Sequence, residues 1–183
     1  MIGFFFVYYS PHSLFICIFA AYNFTLCFNA MMEHSSKLMN RAADNIRVLV
    51  ASMVEKAKSG HPGGAMGGAD FINVLYSEFL TFDPKDPTWE CRDRFFLDPG
   101  HMSPMLYSIL MLCERFTMED LKQFRQWGSV TPGHPERNVE RGIENTSGPL
   151  GQGHVYAVGA AIAAKALYAR TGNPGFKREK IYA

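Results

Sequence analysis

Apolar and polar positions divide this chain near residue 33. Residues 1–32 contain no Asp, Glu, Lys or Arg, and Phe4-Phe5-Phe6 and the stretch from Leu14 to Phe19 dominate them. Charged sequence begins at Glu33. Leu38, Ala42, Ile46, Leu49, Val50, Met53 and Val54 then recur at three-to-four spacing. That period predicts a helix capped by Ser35 or Ser36 and stopped at Gly60. A second helix is predicted over about 69–80, ending before Asp83-Pro84. Arg94-Phe95-Phe96-Leu97 is short, apolar and bounded by turn residues, which predicts a buried strand. Ser103-Pro104 opens a helix to about Glu114, with proline in its first turn. Thr117-Met118-Glu119-Asp120 resembles a capping box and starts a shorter helix to about Gln126. From 128 to 152 periodicity fails and glycine and proline recur, a length that points to a functional or disordered loop. An alanine-rich helix over about 154–170 is stopped by Gly172 and Pro174, and Lys180-Ile181-Tyr182-Ala183 begins a strand. Helices alternating with strands predict an α/β fold with a parallel sheet. Two strands are too few to complete one, so a helix-rich domain with a truncated sheet is expected.

The apolar opening changes the domain picture. It lacks the positive start and small-residue cleavage site of a signal peptide. Its run over 14–30 is near the lower limit for a membrane span and is interrupted by Asn23 and Asn29. Residues 1–31 are therefore expected to be an extension outside the fold, upstream of a natural start at Met31 or Met32. Residues 32–183 are expected to be the domain.

Composition removes several partners. Lys+Arg number 18 against 17 Asp+Glu, a net charge of +1 without a basic run, so nucleic acid is not expected. Membrane association is not expected either. The four cysteines show no C-x-x-C pair and no metal-ligand spacing, and read as free thiols of a reducing, cytoplasmic compartment.

The candidate chemistry lies in histidines. Four of six follow a glycine directly, in Ser59-Gly60-His61-Pro62-Gly63, Gly100-His101-Met102-Ser103-Pro104, Thr131-Pro132-Gly133-His134-Pro135-Glu136 and Gly153-His154. Glycine permits sharp turns or close approach, and proline fixes them, so these imidazoles are placed. Ser147-Gly148-Pro149-Leu150-Gly151-Gln152-Gly153 precedes a predicted helix, where free N–H groups favour phosphate or another electron-rich group. The run matches neither the G-x-G-x-x-G nor the P-loop pattern, and a loop needed only for packing fits it as well. Taken singly, each histidine fits a structural turn as well as catalysis. No metal-ligand motif and no nucleophile elbow is present. Several imidazoles without a nucleophile fit a reaction whose hard step belongs to an organic cofactor.

In order and spacing, the His61 motif, Arg94-Phe95-Phe96-Leu97 with Gly100-His101, the His134 motif and Thr146-Ser147-Gly148-Pro149-Leu150-Gly151-Gln152-Gly153 resemble the opening of the transketolase family. The resemblance covers about 37–183. It implies a thiamine diphosphate-binding fold, here incomplete, and ketol transfer between sugar phosphates with thiamine diphosphate and Mg²⁺. By resemblance, His61 and His134 are the catalytic, substrate-binding residues. His101 would hydrogen-bond the diphosphate, and the backbone of Gly148, Pro149 and Leu150 would line the thiamine site. The metal ligands, in an acidic Gly-Asp-Gly motif, are expected beyond Ala183. The resemblance also implies a homodimer with an active site formed between subunits, so the isolated segment is expected to be inactive and to need its partner or the remainder of the enzyme.

Gly100-His101-Met102-Ser103 departs from the family's usual Gly-His-Gly-Ser, which predicts narrowed space beside His101. Two other readings fit less of the chain. One is a different thiamine diphosphate enzyme, such as 1-deoxyxylulose-5-phosphate synthase. The other is a non-catalytic fragment tethered to membrane by its apolar opening.

Overall fold

The computed structural model describes residues 14–183, with side chains from residue 35 onward. The expectations for the Phe4-Phe5-Phe6 run, and for the side chains of residues 1–31 as an extension, lie outside the described residues. The chain divides into two units, Met1–Met39 and Asn40–Ala183. Among the described residues no helix is long and apolar enough to cross a membrane.

Helix α1 runs over Leu14–Ala57 without a break at Ser35 or Ser36. The expected cap is therefore not used. A serine caps a helix only where the residue before it has left helical geometry, and here the preceding residues are themselves helical. Leu38, assigned by its period to the apolar face, is exposed. Within Asn40–Ala183 most of the expected face is buried: Ile46, Val50 and Met53 enter the core, Leu49 and Val54 pack at its margin, and Ala43 is buried in place of the expected Ala42.

Helix α2, Pro62–Gly67, was not legible in the periodicity. Its glycines carry no apolar signal, and only Ala65 is buried, but Pro62 at its first position has the φ that a helix start requires. The helix expected over about 69–80 is present as α3, Ala69–Val74, continued by a π-helical turn over Leu75–Phe79.

Strand β1, Arg94–Phe95, pairs in parallel with β2, Ile181–Tyr182, in the register Arg94 to Ile181 and Phe95 to Tyr182. The ladder continues one bond further, from Phe96 N–H to Tyr182 O at 2.9 Å. At Leu97 a side chain replaces the neighbouring strand. Asn145 accepts from Leu97 N–H at 3.0 Å and donates to Leu97 O at 3.2 Å. The predicted strand over 94–97 thus keeps hydrogen-bond partners as far as Leu97, although only two residues pair as sheet.

Beyond β1, a 3₁₀ turn over Gly100–Met102 leads into α4, Ser103–Leu112, whose residues through Leu110 are all buried. Short helix α5, Met118–Lys122, has the expected capping box. Asp120 N–H donates to Thr117 Oγ1, and Thr117 N–H donates back to Asp120 Oδ2. Tyr107 on α4 packs its ring against Phe116 and Phe124, with centroids 5.4 and 6.3 Å away. Helix α6, Gln152–Thr171, ends at left-handed Gly172 as predicted, and α7, Pro174–Arg178, leads into β2.

The 128–152 segment is pinned rather than loose. Tyr107 OH donates to Pro132 O at 2.8 Å, and Ser103 Oγ donates to Gly133 O at 2.7 Å. Ser147 N–H reaches Pro135 O, and Asn138 and Ile143 exchange a pair of backbone bonds. The backbone polar groups of an irregular segment must go somewhere, and here they go to α4 and to one another.

Phe124 is buried and closes the aromatic cluster on Tyr107. Phe124→Ala should lower stability by about 3–5 kcal/mol through lost transfer energy and a residual cavity. Urea unfolding of the chain, with the midpoint falling at constant slope, checks this.

Candidate active site

His61, His101 and His134 end up on turns, whereas Gly153-His154 lies in the first turn of α6. His101 follows β1 through Asp98-Pro99-Gly100. Gly100 is buried, and a Cβ built on it would collide with the carbonyl oxygen and Oγ of Ser147. Only hydrogen fits there, so the turn carrying His101 lies directly against the start of the glycine-rich loop. The same seam recurs at Gly153, where a Cβ would stand 2.6 Å from Leu97 O. The first turn of α6 therefore rests on the exit of β1.

Three of the histidines come together. The rings of His61 and His101 lie with centroids 4.8 Å apart, tilted by 48°. His134 feels both: its pKa is held below its ordinary 6.5, first by partial burial, then by the Arg125 guanidinium, then by His101 and His61. The expected pair His61 and His134 thus shares one neighbourhood with His101. An open cleft of about 730 Å³ adjoins it, lined by Ser59, Arg125, Trp127, Gly133, His134 and Glu136.

His154 goes elsewhere. Its Nδ1 lies 2.6 Å from Oδ2 of Asp98, whose side chain is only 2% exposed. This contact ties α6 to the β1 exit. The space feared beside His101 is also occupied differently, because Met102 turns toward α2, where a Cβ on Gly64 would stand 3.3 Å from its Cγ and Sδ.

The loop expected to line a cofactor is open on its outer side. Cβ atoms built on Gly148 and Gly151 would meet nothing within 4 Å, and Leu150 is 73% exposed. Gly151, with φ +88°, is the N-cap of α6 and offers no side chain to its free N–H groups. Beneath it, Ser147 Oγ is buried without a hydrogen-bond partner. Accessible backbone, an uncapped helix start and a nearby imidazole fit an electron-rich group such as a diphosphate. Among the described residues no group of three or more His, Cys, Asp or Glu side chains could hold a metal ion.

The family profile for the thiamine diphosphate-binding domain of transketolase matches residues 38–183. The chain belongs to the transketolase family. It is 51% identical over 141 residues to transketolase-1, chloroplastic, of Arabidopsis thaliana, covering 76% of this chain and 19% of that protein. It is 52% identical over 134 residues to transketolase 1 of Escherichia coli K12, covering 73% and 20%. Among solved structures, transketolase from Leishmania mexicana superposes with a TM-score of 0.68 at 47% identity, over 75% of this chain and 21% of that one. The chain spans about a fifth of the length of these relatives.

Sequence reasoning passed over Arg125 and Asn145. Neither belongs to a recognisable pattern by itself. Arg125 carries one conformational mark, a φ of +61° on a non-glycine residue, but that is invisible until the backbone is traced.

Gly100→Ala should destabilise the chain by about 2 kcal/mol or more, because the Ser147 backbone cannot yield cheaply. Gly148→Ala, facing open space, should change stability by less than about 0.5 kcal/mol. Paired denaturation curves decide it.

His134 also predicts a pH dependence. Its folded pKa is depressed, so below pH 6.5 the unfolded chain binds more protons than the folded one. Its contribution is present above that pH and is lost as pH falls through the folded value. A His134→Asn chain should show a shallower loss of stability in that window, read from denaturant midpoints measured stepwise in pH.

Proposed function

We propose that this chain supplies the diphosphate-binding face of a transketolase, which transfers a two-carbon ketol unit from a ketose phosphate to an aldose phosphate. The observation that carries the proposal is the convergence of His61, His101 and His134 beside an open, uncapped glycine loop. When bound, thiamine diphosphate supplies the nucleophilic carbon and the electron sink that no side chain here provides.

The residues of the chain do the remaining work. The backbone of Gly148, Pro149 and Leu150 would line the thiamine, and the loop is exposed enough to be reached. His101, on the turn that Gly100 packs against Ser147, would donate to the diphosphate. His61 and His134 contact the donor sugar and hold or move protons on its hydroxyls. A depressed pKa suits His134 to this, since a neutral imidazole both accepts and donates near pH 7. Mg²⁺ would be held together with the diphosphate by residues other than the described ones. The working enzyme is a cytoplasmic homodimer.

A chimera tests the proposal. Residues 38–183 would replace the matching segment of E. coli transketolase 1, which the chain resembles at 52% identity over 134 residues. Ketol transfer in a coupled assay is the expected result, and His134→Ala in the chimera should lower kcat/KM by about 10²-fold or more. A folded, cofactor-loaded chimera that transfers nothing would sink the proposal.

A further inference from the structure

Arg125 touches both the turn before His61 and the loop before His134. Its Nη1 donates to Ser59 Oγ at 2.7 Å, two residues before His61. Its guanidinium also packs closely against Gly133: a Cβ built there would stand 2.5 Å from Nε and 2.7 Å from Nη2. Its backbone N–H donates to Thr131 O at 3.0 Å, fixing the start of the same loop. The left-handed φ of +61° at Arg125 directs the side chain into this gap, and Nε is buried there without a hydrogen-bond partner. The guanidinium carbon stands 5.9 Å from the centre of the Phe124 ring, so the core aromatic forms its floor.

We propose that Arg125 is a positioning residue that clamps the His61 turn to the His134 loop and sets the charge between them. A planar fork suits the task, because one nitrogen can bond Ser59 while the rest of the group packs against a residue without a side chain. The same cation opposes protonation of His134, in agreement with the direction in which that imidazole is displaced. The titratable and charged groups around His134 are Arg125 from the segment after α5, His101 from the turn before α4, His61 from the turn before α2, and Glu136 in the same cleft. The consequence for ketol transfer rests on the proposed function. The clamp itself does not, since it is a property of the chain without substrate.

The experiment is a pH titration of the full chain carrying ¹³C-labelled histidine, read by ¹H–¹³C correlation spectra, with signals assigned by single His→Gln variants. No cofactor or substrate is present, so the outcome is independent of the transketolase assay. Arg125→Met should move the His134 midpoint to higher pH, because a positive neighbour has been removed. Arg125→Lys, which keeps the charge but not the fork, should leave that midpoint near the wild-type value while displacing the His61 signal. Ser59→Ala should displace the His61 signal and leave the His134 midpoint in place. A dispersed Arg125→Met spectrum with an unmoved His134 midpoint overturns the charge role. So does Arg125→Lys shifting as far as Arg125→Met, which would assign the change to packing alone. If Arg125→Met does not fold, Ser59→Ala still decides the clamp: it removes one hydroxyl at the surface, and an unmoved His61 signal overturns it.

Discussion

The close seam between the end of β1 and the 145–153 loop is the constraint on which the rest of the site depends. Asn145 gives Leu97 both hydrogen bonds that a neighbouring strand would have given. Three residues later Gly100 passes the Ser147 carbonyl too closely for any side chain, and Gly153 does the same at Leu97. Asp98, buried between them, holds His154. Backbone packed against backbone cannot be adjusted by a rotamer change, so close packing holds the His101 turn against the glycine loop. That rigidity is what a site for a charged cofactor needs. A donor displaced by an ångström forfeits most of a directed hydrogen bond.

The wider fold serves this seam by satisfying polar groups that an irregular segment exposes. Tyr107 and Ser103, on a helix otherwise apolar, each present a hydroxyl to the loop that carries His134. Their rings and backbone belong to the core while their oxygens belong to the site. The buried Asp93 plays a matching part at the sheet. One carboxylate oxygen accepts from Thr81 N–H and the other from Lys180 N–H, which brings the strand from the far end of the chain beside β1. Each of these groups makes its hydrogen bonds in the protein instead of with water, so their burial costs little.

Much of this was legible in the residues, for identifiable reasons. Turn and cap chemistry is local, so the Thr117–Asp120 box, the Gly172 stop and the proline-led start of α4 could be read without a structure. The glycine before each histidine was read as permitting a sharp turn or a close approach; in the structure Gly100 packs against Ser147 and Gly133 against Arg125. Helix α2 was missed because its glycines erase the periodicity that declares a helix. The start of α1 was misplaced because a serine looks the same in a sequence whether it caps a helix or continues one. Arg125 and Asn145 were silent because their roles depend on long-range contacts, and one sequence without its relatives carries no sign of those.

Charge explains why three imidazoles in one neighbourhood form a site and not merely a cluster. Arg125, His61 and His101 each oppose a proton on His134, with partial burial acting in the same direction. The neighbourhood therefore favours either uncharged rings or an anion that offsets charged ones. Glu136, which lines the same cleft two residues further on, is already engaged as an acceptor for Thr146 Oγ1. A ligand that brings negative charge to the open loop would relieve the repulsion that the empty arrangement carries, whereas a neutral ligand would leave it in place. Electrostatics and the exposed backbone of the glycine loop both suit a ligand that carries negative charge, which is the basis of the proposed function.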